Sequence, residues 1–150
     1  MEINFEQNRS LKADEIKLTV QAAELSPEVV VLMQHLTQAQ APRTVLPLTV
    51  EDRVAMVPIA EIIAIEVYGS ELTIYTVQTT YQVRGILKKI VTQIGSPDFI
   101  QVAKGTVLNI NHLQSLEAAF SGSMTAFLTN QVKVSVSRKY LPKLKQQLGL

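Results

Sequence analysis

Cysteine is absent from this sequence of 150 residues, and its uninterrupted apolar runs are short. Without cysteine the chain cannot form a disulfide, a zinc–thiolate site or a cysteine nucleophile, and this composition fits a reducing cytoplasm. No apolar run approaches the ~20 residues that a helix needs to cross a bilayer. The first residues alternate charged and apolar side chains and do not form a secretory signal. We therefore expect a cytoplasmic protein that does not contact a membrane.

Motifs that would identify an enzyme are also missing, since the sequence has no GxGxxG, P-loop, HExxH or GxSxG pattern. Its two histidines, His35 and His112, are far apart in the chain. Glu51 and Asp52 are adjacent in a turn pattern and are best explained as solvated turn residues. Glu66 ends an apolar run and could be buried, but one buried glutamate is a weak signal of an active site. We expect no enzymatic activity, and no catalytic residue, metal ion or cofactor.

Hydrophobic residues make up 47% of the chain and charged residues 18%, which predicts one folded domain, or one domain with a short extension. The net charge of +1 conceals an asymmetry. Residues 84–150 hold nine basic and two acidic side chains, whereas residues 1–83 hold five basic and eleven acidic ones. Such asymmetry is typical of proteins that bind nucleic acid or another anionic surface. The alternative is a lysine-rich face that is merely solvated.

The first part of the chain, residues 1–44, predicts a strand–strand–helix extension. Residues 15–23 (EIKLTVQAA) alternate apolar and polar side chains, and residues 1–5 (MEINF) form a second candidate strand. Ser26 suits the N-cap of the helix that follows, and residues 39–44 (AQAPRT) read as a linker. The helix carries one apolar stripe, made by Val29, Leu32, Met33 and Leu36. This stripe must be buried somewhere, either in a homodimer or as a cap on the chain's own second domain.

The second part, residues 45–150, predicts a domain of short strands. They are VLPLTV, RVAMVP, IIAIEV, ELTIYTV, TTYQV, FIQVA, TVLNI, LQSLEAAF, MTAFLT and QVKVSVS. A helix in RGILKKIVTQI separates the first five strands from the last five, with its inward residues at Ile86, Leu87, Ile90, Val91 and Ile94. A terminal helix, LPKLKQQL, begins near Tyr140, since Pro142 is tolerated only in a first turn. The fold class is therefore mainly β with an α/β N-terminal extension.

Three segments of this second part resemble the LytTR family of DNA-binding domains. In residues 62–76 (IIAIEVYGSELTIYT) the family shows an apolar strand that ends in glutamate, a short turn and a returning strand. In residues 99–117 (FIQVAKGTVLNINHLQSLE) it shows phenylalanine, a basic or polar loop, and Val-Asn followed by Ile or Leu. In residues 132–148 (VKVSVSRKYLPKLKQQL) it shows a strand that ends in Val-Ser-Arg-Arg-Tyr, followed by a leucine-rich helix. The order and spacing of all three match.

The resemblance implies a fold of several small antiparallel sheets with short helices, and a transcriptional regulator that reads successive major grooves from its loops. Lys104 then lies on the loop that enters one groove, and Arg138 lies at the strand-to-helix junction that enters the next. Asn109 matches a family asparagine that we expect to be structural. Many family members also carry a phosphoacceptor receiver domain, which the 44 residues preceding the matched part are too few to form. Control by aspartyl phosphorylation is therefore not expected in this chain.

Residues for DNA contact follow from these motif positions. The predicted set is Lys104, Arg138, Lys139, Ser70, Glu71, Gly105, Thr106 and Ser137. The predicted contacts to phosphates alone are Lys88, Lys89, Lys133, Lys143 and Lys145. The sequence departs from the family where AKGT replaces His-Arg-Ser-Tyr, so that Gly105 stands for the family serine and only Thr106 supplies a hydroxyl. The turn at Ser70 and Glu71 occupies the third contact position, and which of these two residues faces DNA stays open.

Each of these residues also has a simpler explanation. A lone Lys104 is most often a solvated turn lysine, and a lone Arg138 is most often a surface cap. The expected partners are double-stranded DNA with repeated half-sites and a second copy of the chain. The rival function is a β-rich protein-interaction or ligand-sensing module whose basic surface has no DNA specificity.

Overall fold

A computed structural model describes residues 1–13, 15–40 and 43–150, with the side chains of residues 38–40 left undescribed. The chain divides into two units, Met1–Ala41 and Pro42–Leu150. The linker predicted at residues 39–44 lies partly outside the described residues.

Among its described residues, the first unit forms one helix, α1 (Pro27–Gln40), in the region where the sequence predicts it. Ser26 caps this helix, since its Oγ accepts a hydrogen bond from the Val29 backbone N–H at 3.4 Å. A backbone hydrogen bond, together with one from Ser26, lowers the pKa of the Glu28 carboxyl in the first turn. This arrangement confirms the predicted helix start.

The two strands predicted in residues 1–5 and 15–23 are wrong, because the described residues before α1 contain no strand. Ile16 is 82% exposed and Leu18 is 61% exposed, so their alternating pattern buries no face. Alternation makes a strand only when a neighbouring strand completes its hydrogen-bond ladder, and an isolated strand pair is marginal in water. The first unit offers no such neighbour among its described residues.

The second unit contains ten strands and two helices in residues 43–150. In chain order these are β1 (Val45–Val50), β2 (Arg53–Pro58), β3 (Ile62–Tyr68), β4 (Glu71–Thr76), β5 (Thr80–Arg84), α2 (Leu87–Ile94), β6 (Phe99–Ala103), β7 (Thr106–Asn109), β8 (Leu113–Ala118), β9 (Met124–Leu128), β10 (Lys133–Val136) and α3 (Leu141–Gln147). All ten predicted strands form. The predicted mainly β class, with several small antiparallel sheets and short helices, is confirmed.

The strands form three antiparallel sheets. The largest has the order β5-β4-β3-β7-β6, and the others are the ribbon β1-β2 and the sheet β10-β9-β8. Strand β3 lies at the centre of the largest sheet, where Ile65 pairs with Ile74 on one side and with Val107 on the other. Four consecutive residues of β3 are buried because apolar groups cover both faces of this sheet.

Two cores pack on opposite faces of the central strands. One core joins β1, β2 and α2 to the sheet through residues such as Leu46, Ile65 and Ile94. The other joins β9, β10 and α3 to it through residues such as Leu108 and Leu144. Helices α2 and α3 thus belong to different cores.

The two helices begin close to their predicted positions. Helix α2 ends at Gly95, whose φ of 62° is the left-handed conformation usual at a helix C-terminus. Ile86 was predicted to point inward, but it precedes α2 in an extended conformation and is 57% exposed. The prediction for Ile86 is wrong because the helix starts one residue later, so the helical pattern does not extend to this residue. Helix α3 starts after Tyr140 with proline in its first turn, as predicted.

Candidate nucleic-acid interface

Lys104 and Gly105 form the tight turn between β6 and β7. The carbonyl oxygen of Lys104 accepts from Gln101 Nε2 at 3.1 Å, and that of Gly105 accepts from the Val67 backbone N–H at 2.8 Å. These bonds fix the turn to its own strand and to β3, while the Lys104 side chain is exposed. The turn can therefore present a cation on a rigid backbone.

Thr106, the next residue, is only 9% exposed and pairs with Glu66 of β3. Its side chain is therefore largely covered by neighbouring residues. The burial argues against a direct phosphate contact by Thr106, and it leaves the loop without the hydroxyl that the family serine supplies.

Asn109 is buried at the end of β7, with 1% of its surface exposed. Its Nδ2 donates to the carbonyl oxygen of Ile62 at 2.9 Å, and its Oδ1 accepts from the Asn111 backbone N–H at 3.0 Å. Both ends of the amide are thus used inside the protein, on β3 and on the turn after β7. The predicted bonding of the Asn109 amide to backbone groups is confirmed, and its effect on stability stays a prediction.

Ser137, Arg138 and Lys139 form the junction between β10 and α3. The Ser137 backbone N–H donates to the carbonyl oxygen of Val102 in β6 at 2.8 Å. The Ser137 carbonyl oxygen in turn accepts from the Tyr140 N–H at 3.0 Å, which starts the turn into α3. Arg138 and Lys139 are exposed, and the Lys139 Nζ lies 5.6 Å from the centre of the Tyr140 ring.

Gly122, in the turn between β8 and β9, lies beneath the side chain of Arg138. A β-carbon placed on Gly122 would lie 3.1 Å from Cδ of Arg138 and 3.7 Å from its Cγ. Gly122 also has a φ of 78°, which glycine adopts without steric cost. Gly122 is not among the residues predicted from sequence, because its contact with Arg138 joins two turns that no local pattern connects.

Ser70 and Glu71 are exposed at the turn between β3 and β4, after Gly69 with its φ of 63°. The Ser70 carbonyl oxygen accepts from the Gly85 N–H at 3.3 Å, which ties this turn to the end of β5. The backbone of the turn is therefore supported. Both side chains are exposed and accessible to a ligand.

Glu66, in β3, affects the pKa of two tyrosines. The Tyr68 hydroxyl donates to the Glu66 carboxylate at 3.0 Å, and this bond raises the pKa of Tyr68. Burial, followed by the charge of Glu66, raises the pKa of Tyr75 to about 12. Both phenols are therefore neutral at physiological pH, and the Glu66 carboxylate accepts a hydrogen bond within its own strand.

An open groove brings together three lysines from three different elements. Lys88 of α2, Lys104 of the β6–β7 turn and Lys143 of α3 all line it, and we call it the lysine groove. Gly69 and Gly85 also line it. Among the described residues that line the groove, none is acidic. Such a surface attracts anions.

Other predicted phosphate contacts lie outside the lysine groove. Lys89, Lys133 and Lys145 are exposed but do not line it. The Lys133 Nζ lies 5.2 Å from the centre of the Phe127 ring, over the sheet of β8 to β10. The structure thus separates the predicted lysines into a clustered pair, Lys88 and Lys143, and a dispersed set.

His112 connects two parts of the second unit. Its Nε2 lies 2.7 Å from the Ala60 carbonyl oxygen, and its Nδ1 lies 3.0 Å from Thr129 Oγ1.

Within residues 1–13, 15–40 and 43–150 there is no cluster of His, Asp or Glu that could hold a metal ion. In the same part of the chain, no helix is long and apolar enough to span a bilayer.

A family model described as the LytTr DNA-binding domain matches residues 52–149, which is more than half of the chain. The chain therefore belongs to the LytTR family of DNA-binding domains, as its three motif segments indicate.

The relatives agree with this assignment. The chain is 34% identical over 106 residues to the sensory transduction protein LytR of Staphylococcus epidermidis, covering 71% of this chain and 42% of that protein. It is 29% identical over 138 residues to the sensory transduction protein LytT of Enterococcus faecalis, covering 91% of this chain and 57% of that protein. The chain thus spans about half the length of these curated relatives.

A solved LytTr DNA-binding domain from Bacillus cereus has the same fold. The two structures superimpose with a TM-score of 0.65 at 18% sequence identity, over 72% of this chain and 99% of the other. At this level of identity the similarity establishes the fold alone.

Proposed function

We propose that this protein is a sequence-specific DNA-binding transcription regulator that reads successive major grooves from its loops. The observation that carries the proposal is the arrangement around strand β6. The turn that holds Lys104 directly follows this strand, and the junction that holds Arg138 is bonded to it through Ser137 and Val102 at 2.8 Å. Two exposed cations are therefore held beside the same strand, where both can reach a duplex.

Base readout in this proposal belongs to Arg138 and Lys104. The arginine fork matches the O6 and N7 acceptors of guanine, and a lysine can reach the same atoms, with ~1–3 kcal/mol of discrimination for a good contact. At the third position, Ser70 can donate or accept, and Glu71 can accept from cytosine N4. Ser137, Lys139 and the Gly105 backbone contact the sugar–phosphate chain beside these readers.

Phosphate contacts position the protein on the duplex without reading its sequence. Lys88 and Lys143 hold phosphates in the lysine groove beside Lys104, where no acidic side chain repels them. Lys89, Lys133 and Lys145 belong to the wider basic surface and contribute weaker attraction at a distance. Thr106, being buried, supports the turn from below.

The proposal includes a homodimer on repeated half-sites, formed through helix α1. Val29, Leu32 and Leu36 are only half-buried within the chain, and Met33 is 46% exposed. Two linked domains would bind paired sites with greater avidity and without new base contacts. As a bacterial-type regulator, the protein acts in the cytoplasm.

The test is selection of bound sequences from a random DNA library, followed by affinity measurements at several salt concentrations. A regulator enriches a defined sequence, and log K falls with log salt with a slope of about −0.9 for each phosphate contacted. An interaction or sensing module without DNA specificity enriches no sequence. In that case a residual slope would show only that the surface is basic.

A further inference from the structure

Phe120 is the most exposed apolar side chain of the second unit. It is 94% exposed in the turn between β8 and β9, whereas Phe99 is 8% exposed and Phe127 is half-buried. Aromatic side chains contribute most to a fold when they are buried. A single exposed apolar residue needs no explanation by itself, so the neighbours of Phe120 decide what it can do.

The turn holds Phe120 in place without using its ring. The Phe120 carbonyl oxygen accepts from Ser123 Oγ at 2.7 Å and from the Ser123 N–H at 3.2 Å. The Ala119 N–H donates to the Ser123 carbonyl oxygen at 3.0 Å, and Ser121 adopts a φ of 59°. These bonds fix the backbone of the turn, so that the ring projects from a defined position.

The same turn lies against Arg138, the proposed base-reading arginine. Gly122 is two residues from Phe120 and packs against the methylene stem of Arg138. A β-carbon built on Gly122 would lie 3.1 Å from Arg138 Cδ. The turn that carries the exposed Phe120 ring is therefore the one that packs against the stem of the exposed Arg138. A DNA groove that accepts Arg138 also approaches the turn.

We propose that Phe120 is a further specificity-determining residue, whose ring contacts the C5-methyl group of a thymine beside the base pair read by Arg138. This inference rests on the proposed function. Thymine is the one base that presents a methyl group in the major groove, and apolar side chains such as phenylalanine recognise it. The ring needs no hydrogen-bond partner for this contact, and both apolar groups leave water when they meet.

The experiment uses the full chain and the sequence that the wild-type protein selects from a random library. Each thymine is replaced singly by uracil, which lacks only the methyl group. Wild-type protein should lose about fourfold in affinity at one position next to the Arg138 contact, since burying a methylene-sized group changes binding by about that factor. Phe120→Ala should bind the thymine site about five- to tenfold more weakly, and it should show no further loss with uracil.

Two controls separate this contact from general effects. Met56→Ala removes another exposed apolar side chain, 64% exposed on β2, and should leave both the affinity and the uracil penalty unchanged. Phe120→Ala should also leave the melting temperature unchanged, because the ring is almost fully exposed. Phe120→Leu should restore part of the affinity and part of the uracil penalty.

Three results would overturn the inference. Phe120→Ala could bind as tightly as wild type, which would place the ring away from DNA. It could bind weakly and keep the full uracil penalty, which would place the ring on the sugar–phosphate chain. Wild-type protein could select no sequence at all, which would overturn the proposed function together with this inference, whereas the first two results leave the proposed function intact.

Discussion

Asn109 shows how one buried side chain holds the second unit together. Asn109→Ala would leave the Ile62 carbonyl and the Asn111 N–H without their partner, and a buried group that loses its partner costs ~1–3 kcal/mol. We expect the free energy of unfolding to fall by about that amount, and DNA binding to weaken only through the loss of folded protein. Chemical denaturation and binding measurements below the unfolding transition would separate the two effects.

Asn111→Ala is the matched control for this prediction. Its Nδ2 donates to Asp98 Oδ2 at 2.9 Å, but this bond is exposed. An exposed hydrogen bond competes with water, so this variant should lose much less stability than Asn109→Ala. Unchanged stability of Asn109→Ala with a selective loss of base preference would contradict the structural role and place the asparagine at DNA.

Arg138 and Lys104 should each affect one base pair. Arg138→Ala is expected to weaken specific binding by roughly 1–3 kcal/mol and to relax the preference at one position, and Lys104→Ala should do the same at another. Footprinting and affinity titration on single-base variants of the selected site would measure both effects. Arg53→Ala, an exposed arginine at the start of β2, serves as the charge control. If both variants keep wild-type footprints and affinities, the assignment of these two readers is wrong.

At the scale of elements, the lysine groove depends on α2, α3 and the β6–β7 turn being brought together. Lys88→Gln and Lys143→Gln should each reduce the magnitude of the salt slope by about 0.9, the value for one phosphate, and weaken binding to all sequences alike. Affinities measured at four or more salt concentrations would give these slopes.

Neighbouring lysines on the same two helices provide matched controls for the groove. Lys89→Gln and Lys145→Gln make the same change in net charge, but neither residue lines the groove. Their slopes should change less than those of Lys88→Gln and Lys143→Gln. Equal effects from all four variants would mean that the phosphates meet a diffuse basic surface and not the groove.

Local patterns predicted the elements well because most of them bury one face. In β10, buried Val134 and Val136 alternate with exposed Lys133 and Ser135, as the sequence pattern indicates. The same alternation in residues 15–23 failed because the described residues of the first unit supply no partner strand. Alternation with a period of two predicts which face of a strand could be buried. Whether a partner strand lies beside it depends on the whole fold.

Sheet pairing and the composition of the site could be predicted only in part. The pair of Ile65 and Val107 joins β3 to β7 across the intervening β4, β5, α2 and β6, and no local pattern specifies it. Family motifs placed Lys104 and Arg138 on loops. They gave no sign of the lysine groove or of Gly122 beneath Arg138, because both depend on contacts between elements that are distant in sequence.

At the scale of the whole molecule, the basic side chains are concentrated in one part of the sequence. All three groove lysines and Arg138 lie in residues 84–150, which hold nine basic and two acidic side chains. Among the residues proposed to contact DNA, only Ser70 and Glu71 lie in the acidic part of the chain. An excess of one charge in this part would steer the duplex toward the readers before any base contact forms.

The two units make different contributions to stability. Every residue of the two cores lies in the second unit, at Leu46 or later, whereas the described side chains of residues 1–13 and 15–37 include no buried one. Residues 42–150 alone are therefore expected to fold. Helix α1 has 14 residues, a length at which an isolated helix is marginal in water, so it then requires burial of its stripe.

We predict that the intact protein is a dimer through this stripe and that residues 42–150 are monomeric. Truncation should leave binding to a single half-site nearly unchanged and remove the extra affinity for paired half-sites, because linkage supplies effective concentration without new base contacts. Met33→Glu should act like the truncation, since it places a charge in an apolar interface. Gln34→Glu adds the same charge beside the stripe and should stay dimeric. Light-scattering mass and gel-shift titrations on one and two half-sites would measure these outcomes. A monomeric intact protein, or a truncated protein that still dimerises, would remove the interface from α1 and leave the extension as a cap on its own chain.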